Sequence, residues 1–130
     1  MTFRSINLAG SLVCAILAVL LIFLPEFIYW LFSLTGDAIG DFLAKRAGML
    51  FLGLATLLYF SRNSQVSSAR SAISLGLAVA MCGLALVGTY EYFRGYAGPG
   101  IWLAIITETS FAIGYTLVLL SDRRTGHTLS

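Results

Sequence analysis

The sequence predicts an all-α integral membrane protein, a four-helix transmembrane bundle of up-down topology with N- and C-termini in the cytoplasm. Three observations lead to this prediction. Of the 130 residues, 58% are hydrophobic and 11% are charged, whereas soluble domains carry about 25% charged residues. The mean hydropathy of +0.90 is more than so short a chain can bury in water. Four apolar runs alternate with short polar segments.

The four runs have the length of membrane-spanning helices. They cover residues 6–24, 42–61, 71–92 and 101–121, each near the roughly 20 residues that cross about 30 Å of hydrocarbon. Lipid leaves no partner for open backbone groups, so each run is expected to be helical. The short links favour antiparallel neighbours. We therefore expect a single transmembrane domain, 1–130, with a loose polar tail at 122–130.

Pro25 follows the first run and is expected to end or kink that helix. The aromatic stretch EFIYWLF then predicts an interfacial extension to residue 34, since tyrosine and tryptophan favour the membrane boundary. No small-residue cleavage site follows the first run, so we interpret it as a retained helix rather than a signal peptide. Asp37 and Asp41 are placed to begin the second helix, where acidic residues are favourable.

The basic residues predict the orientation. An even number of helices puts both termini on one side, which then carries Arg4, Arg62, Arg70, Arg123 and Arg124, and the other side carries Lys45, Arg46 and Arg94. Cytoplasmic segments are enriched in lysine and arginine. The pattern therefore indicates a multi-pass membrane protein with both termini in the cytoplasm; a bacterial cytoplasmic (inner) membrane is what the family resemblance described below implies.

Glu108 lies inside the fourth run, where a charge is costly and is a functional candidate by default. It shares a helical stripe with Ala104 and Ala112, so it is expected to face a neighbouring helix. Its depth, about 12 Å from Gly100 at 1.5 Å per residue, matches that of Arg46. We therefore predict an ion pair between Glu108 and Arg46, with Lys45 as the less favoured partner.

Three interpretations of Glu108 remain open. The carboxylate could belong to a structural ion pair, couple to a proton or substrate, or contact another chain. Thr107, Thr109 and Ser110 flank it, and their hydroxyls are expected to bond back to the helix rather than to the carboxylate. Asn7, near the start of the first run, is expected to act as an interfacial cap.

The half of the predicted bundle on the side opposite the termini also contains polar and aromatic residues. They could surround a vestibule that binds a small molecule. Its members are Glu26, Trp30, Asp41, Tyr90, Glu91, Arg94 and Trp102. An aromatic belt with solvated loop charges is the alternative, and it is favoured for the tyrosines and Trp102.

Several classes of site are not expected. Cys14 and Cys82 form no CxxC motif or zinc spacing, and His127 lies in the polar tail, so no metal or other cofactor is predicted. A formal net charge of +2 is too small to indicate a nucleic-acid partner. The expected partners are membrane lipids, further copies of the chain, or a larger membrane complex.

The segment KRAGMLFLGLATLLYFSR resembles a group of small, DoxX-like bacterial membrane proteins. The resemblance rests on a basic residue before Ala47 and Gly48, a Leu-Gly-Leu sequence at 52–54, and Arg62 after the helix. It covers one helix well and the four-helix plan loosely. It implies a four-helix inner-membrane fold and supplies no catalytic residues.

The leading functional hypothesis is a non-enzymatic accessory or interaction subunit, because no nucleophile–base set or cofactor motif is recognisable. The alternative is a small, oligomeric transporter or channel that uses Glu108 with Arg46. A weaker alternative is an enzyme acting on a lipid or quinone at the outer cluster.

Overall fold

The structure, a computed structural model, describes residues 2–127, with side chains as far as Arg124. Over these residues the chain is all-helical. Its elements are α1 (Phe3–Phe23), α2 (Pro25–Phe32), α3 (Ala38–Ser61), α4 (Ser68–Phe93) and α5 (Ile101–His127). In this part of the chain, four helices, α1, α3, α4 and α5, are long and apolar enough to cross a membrane.

Local sequence signals account for the helix ends. Thr2 caps α1 in a capping box with Ser5, and Asp37 caps α3 by accepting a hydrogen bond of 2.6 Å from the Gly40 N–H. Both caps satisfy amides that a helix start leaves open. Pro25 opens the short α2, because proline lacks the N–H that would continue α1 but suits a first helical turn.

The long helices form two antiparallel pairs, α1 with α3 and α4 with α5. In the first pair, the Ser11 hydroxyl donates to the Ala55 carbonyl at 2.8 Å. Further along, a Cβ on Gly48 would lie 3.2 Å from the Ala18 carbonyl oxygen, so glycine permits the close approach. In the second pair, a Cβ on Gly88 would lie 3.2 Å from the Ile105 side chain, so glycine allows a close contact there as well.

The ends of the helices define two ends of the bundle. The terminal end is where α1 and α4 begin and where α3 ends; the opposite end holds α2 and the α4–α5 loop. Large hydrophobic side chains such as Leu50, Phe60 and Leu103 remain exposed between these ends. In water such a surface would be unfavourable, whereas in lipid it is the expected outer face.

The last helix is longer than predicted. It continues to His127, so residues 122–127 are helical rather than loose, and 128–130 lie outside the described residues. The buried side chain of Asp122 forms an ion pair with Arg70. This contact between distant residues stabilises a helical end that composition predicts to be loose.

Candidate functional site: an apolar cleft with one carboxylate

An apolar cleft of about 320 Å³ lies between the two helix pairs. Every helix contributes to it, through residues that include Leu17, Ile28, Phe51, Met81 and Phe111. Its walls are almost entirely aliphatic and aromatic. Cavities of this size and polarity are typical of sites for small apolar molecules.

Glu108 is the one carboxylate among the described residues that line the cleft. It is half-buried and lies on the same face of α5 as Ala104, Phe111 and Tyr115, which also line the cleft. Within residues 2–124, its carboxylate has neither an ion pair nor a hydrogen bond. A polar group on an apolar wall is unfavourable unless something satisfies it, so this carboxylate is the feature of the cleft that most needs a partner.

The hydroxyls near Glu108 do not bond to it. Thr107 donates to the Leu103 carbonyl at 2.8 Å, and Ser110 donates to the Ile106 carbonyl at 2.7 Å. Both bonds return to the helix backbone, as the sequence predicts for these two residues.

The predicted ion pair between Glu108 and Arg46 is not formed, and Lys45 does not replace Arg46 as the partner. Both basic side chains are exposed, and the Arg46 guanidinium lies 5.6 Å from the centre of the Phe42 ring on its own helix. The reason is the pairing of the helices. Since α3 packs along α1, the face of α3 that carries Lys45 and Arg46 is turned to the outside, while Glu108 faces the cleft.

A buried hydrogen-bonded junction closes the terminal end of the cleft. The Asn7 amide donates to the Ser61 hydroxyl at 3.0 Å and to the Leu58 carbonyl at 3.4 Å. The Tyr115 hydroxyl donates to the amide oxygen of Asn7 at 3.1 Å. Asn7 and Tyr115 are fully buried, so α1, α3 and α5 meet at one polar point.

This role of Asn7 differs from the predicted interfacial cap. The cap of α1 is Thr2 instead, which leaves Asn7 one turn further in and free to contact other helices. An asparagine within an otherwise apolar run was the available signal, because such a side chain needs partners in lipid. Its partners, Ser61 and Tyr115, follow from the fold and not from any spacing.

A second contact joins the two pairs at the opposite end. The Gly98 N–H donates to the Phe32 carbonyl at 2.6 Å, and Gly100 lies directly against the Leu31 carbonyl, where a Cβ would clash. Phe32 also packs against a small cluster around Ile101 and Ile105. The cleft is thus bounded by the Asn7 junction at one end and by the contact of α2 with the α4–α5 loop at the other.

The residues predicted to form an outer vestibule lie around the opposite end. Glu91 lies 3.9 Å from Arg94, one turn along α4, and the Arg94 guanidinium lies 5.3 Å from the centre of the Tyr90 ring. Trp30 and Tyr90 are 73% and 59% exposed, so both point outward.

The remaining members of that set are dispersed. Glu26 is exposed in the first turn of α2. Trp102 contacts Tyr92 edge-on, with 5.4 Å between the centres of the two rings. Asp41 lies near Tyr29, whose pKa is raised by partial burial and then by the Asp41 carboxylate. None of these seven residues lines the cleft that contains Glu108.

No protein-family model, curated protein or solved structure matches this chain.

Proposed function

We propose that this chain is a small, non-enzymatic membrane carrier that binds an amphiphilic cation in the cleft, with Glu108 as the charge-recognition group. The observation that carries the proposal is a carboxylate without a protein partner on the wall of an apolar cleft. An apolar molecule with a delocalised positive charge complements both features. Its hydrocarbon would fill the cleft while its charge satisfies the carboxylate.

The arrangement of the helices supports transport as well as binding. Each helix pair is packed along its length, whereas fewer contacts join the two pairs. These are a hydrophobic core that includes Leu58, Leu77 and Tyr115, the Asn7–Tyr115 bond at the terminal end, and the contact of α2 with the α4–α5 loop at the opposite end. Breaking one end contact while keeping the other would open the cleft toward one side of the bundle. Many membrane carriers work by rocking one helix bundle against another around a central site.

Binding can be tested with tetraphenylphosphonium, a lipophilic cation, and with triphenylphosphine oxide as a neutral aromatic comparison. The protein in lipid nanodiscs is titrated with each compound. We expect Glu108→Gln to weaken binding of the cation at least tenfold, which corresponds to about 1.4 kcal/mol. Binding of the neutral compound is expected to change less than twofold, since only the charge is removed.

Glu91→Gln is the matched control, because it removes an equal charge from a carboxylate near Arg94 at the membrane boundary. This variant is expected to bind the cation as the wild type does. Equal binding of the cation by wild type and Glu108→Gln would overturn the proposal. Flux of the cation into proteoliposomes then distinguishes a carrier from a protein that only binds.

One other feature favours the accessory-subunit hypothesis as a second candidate. Ala72, Gly76, Ala80 and Gly83 follow one another along an exposed face of α4, and a Cβ on Gly76 or Gly83 would meet nothing within 4 Å. Small residues allow the backbones of two helices to approach in lipid. A second copy or a partner helix is the proposed occupant. Gly76→Leu would place a large side chain on this face. It should therefore disrupt a complex that co-purifies with the wild type in mild detergent.

We further propose that the helices cross the bacterial inner membrane up and down, with the terminal end in the cytoplasm. Five basic residues at or beyond the terminal end, against three at the opposite end, support this orientation. The orientation can be tested with two single-cysteine variants, Ser64→Cys and Gly95→Cys. Both are made in a background in which Cys14 and Cys82 are replaced by serine. A membrane-impermeant thiol reagent added to intact cells is expected to label position 95 and not position 64.

A further inference from the structure

A second pocket, of about 410 Å³, lies at the terminal end of the bundle. It is formed by the first turn of α1, the link between α3 and α4, and the last turns of α5. Its charged residues are Arg4, Arg62, Arg70 and Asp122. Three arginines against one aspartate leave an excess of two positive charges in a concave site.

The excess charge resides on Arg4 and Arg62. Arg70 is already bound to Asp122, with its Nε 2.8 Å from the carboxylate. In the part of the chain that the structure describes, neither Arg4 nor Arg62 has an acidic partner. Arg62 lies 3.9 Å over the Tyr59 ring and donates to the Tyr59 carbonyl, and both of these partners are neutral. The charges of the two arginines are therefore available to a ligand.

The polar groups around these arginines suit an oxyanion. Asn63 and Ser64 line the same pocket, and their side chains carry an amide and a hydroxyl group. Arginine binds phosphate through parallel N–H donors. The pocket also lies at the ends of the four membrane-length helices, where lipid headgroups would be placed if these helices cross a bilayer. Basic pockets between transmembrane helices are known to bind such headgroups.

We propose that this pocket binds a phosphate group, either the phosphodiester of an anionic lipid or a free phosphate, through Arg4 and Arg62. The site is separate from the Glu108 cleft, and it does not depend on the proposed carrier function. A bound phosphate would connect the start of α1 to the end of α3, and so hold the terminal end together.

Native mass spectrometry of the full chain with phosphatidylglycerol or phosphatidylcholine tests this proposal. The variant Arg4→Gln/Arg62→Gln removes both pocket charges and leaves the Arg70–Asp122 pair in place. The control Arg123→Gln/Arg124→Gln removes the same charge from exposed residues outside the pocket. We expect one phosphatidylglycerol to bind at least tenfold more tightly than phosphatidylcholine, and the pocket variant alone to lose this preference.

A second measurement distinguishes the source of the phosphate. Thermal unfolding in detergent is followed with inorganic phosphate or with chloride at equal ionic strength. A rise in Tm with phosphate, seen in the wild type and the control but not in the pocket variant, would show that free phosphate is sufficient. No rise, together with selective lipid binding, would assign the site to a lipid headgroup. No selective rise in Tm, together with either no lipid preference in the wild type or equal loss of that preference in both double variants, would overturn the proposal.

Discussion

Arg70 at the start of α4 and Asp122 near the end of α5 are joined by two parallel hydrogen bonds of 2.8 Å, from Nε to Oδ2 and from Nη2 to Oδ1. The third nitrogen of the guanidinium donates to the Ser64 carbonyl at 3.0 Å. The guanidinium also lies 4.3 Å from the centre of the Phe3 ring. One arginine thus holds together α4, α5, the α3–α4 link and the first turn of α1.

Removing either partner of this pair should destabilise the fold. Asp122 is 7% exposed and Arg70 17% exposed, so the remaining charge would be largely buried without a partner. We expect Arg70→Gln to lower the free energy of unfolding by roughly 3 kcal/mol. The double variant with Asp122→Asn should lose less than the sum of the single losses. Unfolding by denaturant in mixed micelles measures all three.

Arg94→Gln is the control for that experiment, because its partner Glu91 is exposed and 3.9 Å away. Exposed pairs contribute about 0–1 kcal/mol. A loss in Arg70→Gln no larger than the loss in Arg94→Gln would contradict the assigned role of Arg70.

The Asn7 junction predicts a graded series of losses in the free energy of unfolding. Tyr115→Phe removes one hydrogen bond and leaves the Asn7 oxygen without its donor, at a cost of about 1–3 kcal/mol. Asn7→Ala also removes the bonds to Ser61 and Leu58 and should cost more. Tyr59→Phe, at an exposed position, should be nearly neutral. The same unfolding assay orders the variants, and a neutral Asn7→Ala would exclude a structural junction.

Gly100→Ala should separate α2 from the α4–α5 loop. The new methyl group would overlap the Leu31 carbonyl, and backbone at this contact cannot move without losing the bond from Gly98 to Phe32. Overpacking of this kind costs about 1–3 kcal/mol or more.

The matched control is Gly53→Ala, where a Cβ on the helix would meet nothing within 4 Å. Alanine is the better helix former by about 1 kcal/mol, so this variant should be equal to the wild type or more stable. Protease sensitivity of the α4–α5 loop, measured beside unfolding, should rise only in Gly100→Ala. Unchanged stability and sensitivity in Gly100→Ala would show that the loop contact is dispensable.

Glu108 and Arg46 should behave as independent residues. They form no ion pair, and Arg46 lies at the outer surface over Phe42. A double-mutant cycle of Glu108→Gln and Arg46→Gln is therefore expected to be additive within about 0.5 kcal/mol. Glu108→Gln alone should leave the protein as stable as the wild type or more so, because it removes an unpaired charge from an apolar wall. A coupling energy well above this limit would restore the predicted pair.

Much of the secondary structure was predictable because it depends on local properties. The predicted runs 6–24, 42–61 and 71–92 correspond to helices that begin three or four residues earlier and end within a residue of the predicted limits. Asp37 caps α3, and Pro25 separates α1 from α2, as their chemistry predicts. The early starts reflect capping groups such as Thr2 and Ser67, which hydrophobicity does not reveal.

The candidate site was predictable only in part. Glu108 was identifiable because a carboxylate in an apolar run is costly wherever the helix packs. Its surroundings were not, since depth along a helix gives no information about which way the neighbouring helix is rotated. The predicted depths of Arg46 and Glu108 match, but Arg46 lies on an exposed face of α3, so an argument from depth alone predicted a pair that is not formed.

Composition and local chemistry therefore determine that this chain has four membrane-length helices, approximately where the first three of them begin and end, and that one carboxylate, Glu108, lies well inside an apolar run. Tertiary structure determines which helices pair and which residues meet, as in the bond from Tyr115 to Asn7 across 108 positions. The physical reason is that these helices are apolar on nearly every face. Lipid accepts any such face, so only close packing and the few polar contacts between helices select one arrangement.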